Sequence, residues 1–278
     1  MLEYISVSQI NAYIGCSLKY KLKYIDKLPP AFTPSALAFG SSIHAAIEWM
    51  HKQLMTGNRD DVLKALSIFD ADWYASCQGD VRFKSKESQK SLQQTGLKML
   101  KFYDEHLPES KIMAVEQSFT VPIVDFSTGE TLDTPLYGII DLALEDHLIV
   151  DFKTAAKALS AQDVDSSLQM TAYSYAYNYK TGQIPNLRID VLYKTKEPKI
   201  DRIPTTRIEK DYVKLFNLAK AVIFAIEAGV FYPISSWRCY DCEFKKYCWL
   251  WNGSILGKGA DNVEYSNERR TQQTPQAV

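Results

Sequence analysis

Two aspartates and a lysine stand out for their surroundings. Gly138-Ile139-Ile140-Asp141-Leu142-Ala143-Leu144 is an apolar run carrying one acid, and Leu148-Ile149-Val150-Asp151-Phe152-Lys153-Thr154, after a short polar break, is another. If Glu145, Asp146 and His147 make the turn of a hairpin, Leu144 pairs with Leu148, and counting back along both strands sets Asp141 opposite Asp151. Residues so opposed have Cβ atoms roughly 4.5–5.5 Å apart, where two like charges destabilise the pair unless a cation intervenes. Lys153 shares the face of Asp151, and Phe152 points to the opposite layer. Ile139, Ala143 and Ile149 are the neighbours on that face, a setting in which isolated charges are costly. Carboxylates that hold Mg²⁺ or Mn²⁺ beside an ammonium group suit phosphodiester hydrolysis: the ion polarises a phosphoryl oxygen and activates a water. Lys153 then either steadies developing negative charge or helps to deprotonate that water. The bland counterpart is an Asp–Lys pair on an exposed sheet face, and strands apolar on both faces argue against it.

Thiols are the second chemical feature. Cys239-x-x-Cys242 and Cys248 lie close together, with Arg238, Lys245 and Lys246 near enough in sequence to favour thiolates. Three ligands call for a fourth; Cys16, at the end of an early helical stretch, is the best candidate, whereas Cys77 falls within a helical pattern as a small core residue. Four cysteines bind zinc or an iron–sulfur cluster, and spacing alone does not choose. Either would close a very long loop and restrict the unfolded chain.

These groups need a frame. Ser6 caps a helix carrying Ile10, Tyr13 and Ile14, and Ser41 or Ser42 is expected to cap one through Ile43, Ile47 and Met50. Helical patterns follow over Asp61 to Cys77 and Lys86 to His106. The period then changes: Ile112 to Val124, Thr131 to Leu144 and Leu148 to Phe152 read as strands. Ala161 to Lys180 reads as one helix, Arg188 to Lys194 and Lys199 to Pro204 as strands, and Glu209 to Gly229 as a long helix ending at glycine. The expected fold class is α/β, a central mixed sheet flanked by helices.

The chain has 278 residues, 46% hydrophobic, with a formal net charge of −1. That length suits one large domain, and the charge gives no bulk attraction for nucleic acid, so any contact must be local. Local candidates are Lys19, Lys21 and Lys23; Lys194, Lys196 and Lys199; and Arg238, Lys245 and Lys246. The first and last groups would form one phosphate-binding rim for single-stranded DNA if the cysteines join them, with tyrosines for stacking. The apolar stretch Leu215 to Phe231 is broken by Asn217, Lys220 and Glu227, so no membrane span is expected. The amino terminus lacks the pattern of an export signal, and five cysteines argue against a disulfide framework; the expected location is the cytoplasm.

Asp141…Asp151-Phe152-Lys153 resembles the PD-(D/E)XK nuclease signature. The RecB-like exonucleases of that superfamily are similar in four places: Phe39-Gly40-Ser41-Ser42-Ile43-His44, the Gly-Ile-Ile-Asp run at 138–141, the Asp-Phe-Lys-Thr run at 151–154, and Gln169 followed by Tyr173. The resemblance implies a restriction-endonuclease-like core with Asp141, Asp151, Lys153, Gln169 and Tyr173 as the catalytic set, and a metal held at His44, Asp141, Asp151 and Phe152. Without it, His44 reads as the partner of Glu48 one turn on, Gln169, Tyr173 and Tyr177 as a core stripe, and Glu116 equally as a metal helper or a solvent-facing strand residue.

The lone Cys16 in its Ser8-to-Cys16 context with Tyr13, together with the terminal C-x2-C-x5-C, is similar to the clamp of CRISPR- and recombination-associated relatives, which implies a structural 4Fe-4S cluster on Cys16, Cys239, Cys242 and Cys248. One nuclease domain is then expected over 1–252: a helical part at 1–110, a core at 111–230, and a clamp at 231–252 closing onto Cys16. A polar flexible tail is expected over 253–278. No G-x-x-x-x-G-K-[ST] loop occurs, so a stand-alone enzyme is expected, acting on single-stranded DNA ends with the 5′ to 3′ polarity of its relatives. Lys19, Lys23, Arg238, Lys245 and Lys246 are its DNA contacts. The setting stays open among recombination, CRISPR spacer acquisition and a virus, as does a homo-oligomer or partner protein. Two other readings stay open: a non-catalytic iron–sulfur or zinc DNA-binding or assembly module, and a zinc-binding interaction protein.

Overall fold

Helical and strand periods divide the chain's element order into two stages. The computed structural model describes residues 2–59 and 62–251; the tail expected from 253 to 278 lies outside them. The first stage is mostly helical. It runs through β1 (Ile5–Ser6), α1 (Val7–Gly15), α2 (Ser17–Tyr20) with a π-helical turn over Lys21–Ile25, β2 (Thr33–Pro34), α3 (Ser35–Met55), α4 (Val62–Ser76), β3 (Val81–Arg82) and α5 (Gln89–Asp104). The second holds the sheet: β4 (Ile112–Val124), β5 (Thr131–Leu144), β6 (Leu148–Ala155), α6 (Ala161–Asp165), α7 (Leu168–Thr181), β7 (Asn186–Tyr193), β8 (Lys199–Thr205), α8 (Glu209–Glu227) and, after a 3-10 turn over Trp237–Cys239, α9 (Lys245–Trp251).

The sheet is mixed and six-stranded, in the order β1-β5-β6-β7-β8 with β4 also paired to β5. Only β1–β5 and β6–β7 run parallel within it. Two apolar cores build on it. Ile10 of α1, Met170 and Tyr175 of α7 and Phe216 of α8 pack with Phe119, Leu136 and Ile149 of the strands. Phe39 and Ile43 of α3, Trp73 of α4 and Leu100 of α5 pack with Leu142, Val150 and Phe152. Helices therefore cover both sides of a mixed sheet, the α/β class expected.

Local chemistry explains where elements start. Ser6 caps α1 through a reciprocal bond pair with Gln9. The third helix departs from expectation: it begins at Ser35, behind Pro34, which cannot extend a helix backwards. Ser42 is thus a buried mid-helix residue, donating to Ala38 O at 3.1 Å and Asp72 Oδ2 at 2.6 Å, and is no cap. The helix expected over Ala161 to Lys180 is two, because Ser167 caps a new start by accepting from Met170 N.

Helices α4 and α5 meet where Gly96 faces Phe69, and a Cβ on Gly96 would lie 2.1 Å from the ring. The ring is fully buried and wedged against Phe39, so it has nowhere to go. Gly96→Ala gains about 1 kcal/mol of helix propensity but overpacks the core by about 1–3 kcal/mol. The expected outcome is a net loss of stability, seen as a lowered urea midpoint; a raised midpoint would contradict this packing.

Candidate active site

The hairpin register agrees with the count back from the turn up to one position. Leu144 pairs with Leu148, Ala143 with Ile149 and Leu142 with Val150, and there the ladder stops. At the next step Asp141 Oδ2 accepts a hydrogen bond from the Phe152 N–H at 2.9 Å, replacing the backbone bond with a side-chain one. The strands part at the acids, so Asp141 and Asp151 are not a ladder pair as counted from the sequence. The apolar strip is also incomplete, because Ile139 is exposed.

Three elements deliver donors to this gap. His44 of α3 places Nδ1 3.9 Å from Asp141 Oδ2, and its ring bonds the Phe152 main chain. Glu116 of β4 stands between Val115, paired with Leu142, and Gln117, paired with Ile140, which puts it across from Asp141. Its φ of 50° is left-handed, a conformation uncommon for a side chain of this size and typically costing about 1–3 kcal/mol. Ligand atoms of His44, Glu116 and Asp141 all lie within 4.8 Å of one another. Asp151 is buried, and its Oδ2 meets no donor in hydrogen-bond geometry; Lys153 Nζ approaches it at 2.8 Å as an ion-pair partner. A buried carboxylate oxygen left in this state is a place where a cation fits.

Electrostatics agree. Burial, then the neighbouring charge of Asp151, push the Asp141 carboxyl up to about 7 despite the Phe152 bond. Burial, then Glu48, raise Glu116. Burial lowers His44 against the pull of Asp151, leaving a neutral imidazole with a lone pair to give. Burial works to lower Lys153, but the contact with Asp151 and the charge of Asp141 outweigh it and hold the group as ammonium. Two or three carboxylates and an imidazole suit a hard divalent ion such as Mg²⁺ or Mn²⁺. Phe152 keeps its side chain buried in the core beneath α3, so only its backbone carbonyl is available as a donor.

Other expected residues fall into place unevenly. Tyr173 is buried on α7, donates its hydroxyl to Ile139 O, and bonds the Gln169 side chain; burial, then the charges of Asp141 and Asp151, raise its pKa. Tyr177 packs against the same core, as the stripe reading expects, and its hydroxyl meets His147 at 2.5 Å. Glu48 pairs with Lys52 at 2.5 Å and not with His44.

The thiols meet as a group at the opposite ends of the chain. Cys16, Cys239, Cys242 and Cys248 line one cavity of about 1040 Å³. Its walls are joined by Leu18 N to Tyr232 O, Ala31 N to Glu243 O and Tyr13 Oη to Val230 O. The expectation that basic neighbours favour thiolates is overturned for two of them: burial raises Cys242 and Cys248, and the help Lys19 gives Cys242 is smaller. Lys19 itself is tied to Glu243 at 2.9 Å. Arg238 lies over Trp237, Lys245 over Trp249, Lys246 over Tyr247 and Lys23 over Tyr24. Trp237 and Tyr240 are 83% and 87% exposed, and nothing in the spacing of this aperiodic segment marks them.

A mixed sheet whose central hairpin opens at two acids, beside a lysine and under a histidine-bearing helix, holds a candidate metal centre. The sequence profile of the PD-(D/E)XK nuclease superfamily matches residues 4–249, and the chain belongs to that superfamily. Among solved structures, a protein from Eubacterium rectale named "Putative exonuclease" is similar at a TM-score of 0.57 and 16% identity, over 92% of this chain and 90% of that one, a likeness of fold. SSO0001 is similar at a TM-score of 0.35 and 13% identity, over 83% and 93%, too slight to bear on the fold. No curated protein matches the sequence.

The raised Asp141 has a consequence for stability. Its folded-state pKa near 7 exceeds the ordinary 3.8, so the folded chain holds this proton longer than the unfolded one. Stability from this group is therefore fullest below about pH 4 and falls as pH rises through 7, by a few kcal/mol at the outside. Thermal melts in a chelator should show that decline in the wild type and a flatter profile, with a higher neutral-pH Tm, in Asp141→Asn, which keeps an oxygen for the Phe152 N–H. Parallel profiles would contradict the assignment.

Proposed function

We propose that the protein is a Mg²⁺- or Mn²⁺-dependent deoxyribonuclease of the RecB-like group, a cytoplasmic exonuclease acting on single-stranded DNA ends, with 5′ to 3′ polarity by analogy with that group. The observation that carries the reading is the convergence of His44, Glu116 and Asp141 within 4.8 Å beside the Asp151–Lys153 pair. His44, Glu116, Asp141 and Asp151, with the Phe152 carbonyl, would hold the ion. Bound there, a divalent cation polarises a phosphoryl oxygen and lowers the pKa of a water. Lys153, held protonated, serves as a cation for the charge that develops on the phosphate and not as the base. Tyr173 and Gln169 fix the β5 backbone two residues before Asp141.

A 4Fe-4S cluster on Cys16, Cys239, Cys242 and Cys248 clasps the two ends. Zinc with Zn–S bonds near 2.3 Å would draw four tetrahedral sulfurs to within about 3.8 Å of one another. The four cysteines line one cavity that would take either group, and the resemblance to the iron–sulfur relatives is what favours the cluster. Backbone N–H groups of Ile234 and Ser236 already point at Cys16 Sγ and Cys239 Sγ, at 3.5 and 3.4 Å, the kind of bond that steadies cluster thiolates. Lys23, Arg238, Lys245 and Lys246, with the exposed Trp237 and Tyr240, form the rim that a strand would follow; Lys19 contributes less because Glu243 holds it.

Two experiments test these parts separately. With 5′- and 3′-labelled single strands and either metal, wild type should degrade DNA, while Asp151→Ala and Lys153→Ala should lose cleavage by about a hundredfold or more with unchanged circular dichroism; full activity in both rejects the site. Anaerobically purified protein should carry iron and acid-labile sulfide in equal amounts, and Cys248→Ser should lose them; zinc in place of iron rejects the cluster.

A further inference from the structure

Arg207 is a charged residue buried at 4% exposure. Its guanidinium uses all five N–H donors. Nε donates to Thr171 Oγ1 at 2.8 Å; Nη1 donates to Thr205 Oγ1 and Thr206 O, each at 2.7 Å; Nη2 donates to Val164 O at 3.1 Å and Ser167 O at 3.0 Å. None of the five goes to a carboxylate. The nearest acid in the network is reached indirectly, since Asp165 accepts from Thr205 Oγ1 at 2.7 Å. A buried cation is costly and is tolerated only where its bonds are all made.

The partners say what the bonds accomplish. Val164 O lies in α6, Ser167 is the cap of α7, and Thr171 is one turn into α7. Thr205 ends β8, and Arg207 stands just before α8. The side chain therefore rivets the break between α6 and α7 to the corner between β8 and α8. Gln169 and Tyr173 sit on the first turns of α7, and Tyr173 reaches across to Ile139 O, two residues before Asp141. Helix α7 is pinned at its start by Arg207 and farther along by the tyrosine.

We infer that Arg207 is a positioning residue for the hydrolytic centre, acting through α7 and Tyr173 on the strand that carries Asp141; this rests on the nuclease reading above. Lysine cannot replace it, because three donors on one nitrogen cannot span five acceptors on two corners. A displacement of the order of 1 Å at a reacting centre costs about a hundredfold in rate.

The test measures kcat and KM for single-stranded DNA in wild type, Arg207→Lys, Tyr173→Phe and the double variant, with melting curves on each. Arg207→Lys should lower kcat about tenfold to a hundredfold and leave KM within about twofold. The double variant should fall no further than the worse single one, because both act along one path. Thr171→Val, which removes the Nε acceptor together with the hydroxyl's own bond to Ser167 O and leaves the other four Arg207 bonds their acceptors, should shift kcat the same way by less, and it serves if Arg207→Lys does not fold. Full kcat in folded variants, or losses that multiply in the double, overturn the inference. If wild type cleaves no better than Asp151→Ala, the nuclease reading has failed and the inference falls with it; wild-type cleavage with an indifferent Arg207 sinks the inference alone.

Discussion

The rest of the site depends on one hydrogen bond, from the Phe152 N–H to the carboxylate of Asp141. In an uninterrupted antiparallel hairpin that N–H would go to a backbone carbonyl, and the two acids would face each other as a like-charged pair. Diverting the donor to a side chain ends the ladder at Leu142 and Val150 and opens a gap in the sheet. Into it come His44 from the helical layer and Glu116 from β4, whose left-handed backbone faces Asp141 across the strand. The apolar cores on either side make the gap expensive to leave charged, and that expense is what a bound cation relieves.

The same logic orders the parts farther away. Helix α3 holds His44 because Phe39, Ile43 and Ile47 anchor it in the core it shares with Phe152. Helix α7 holds Tyr173 from the other core, so the site lies where two independently packed layers meet. Early and late segments of the described chain close on each other through backbone bonds from α2 and the following loop to the segment after α8. The cysteine cavity is thus part of the frame that fixes α2 and the loop after it against the segment following α8, which is a different task from chemistry at the acids.

Much of this was legible in the sequence, for physical reasons that differ by residue. Two apolar runs with a polar break between them located both strands of the hairpin and its turn, and Asp151 with Lys153 on one face followed from the side-chain period of a strand. The end of the ladder was not legible, because a side chain that captures a backbone donor leaves no periodic trace. Ser42 misled as a cap because a serine before an apolar run looks the same whether it caps or back-bonds; Pro34, eight positions earlier in the chain, was the better signal. Basic residues beside Cys242 and Cys248 suggested thiolates, but sequence proximity says nothing of burial, which dominates there. Arg207 was invisible for a related reason: its acceptors are mostly backbone carbonyls and hydroxyls, and Thr171 is 36 residues away.

The most direct measurement of the central claim is a crystal structure with Mn²⁺ at saturating concentration, its ions located by anomalous scattering. The account requires an ion coordinated by Asp141 and Asp151 at about 2.1 Å, with His44 or Glu116 completing its shell and the Asp141 to Phe152 bond intact. An ion bound only elsewhere, or a hairpin ladder that continues through both acids, would contradict it.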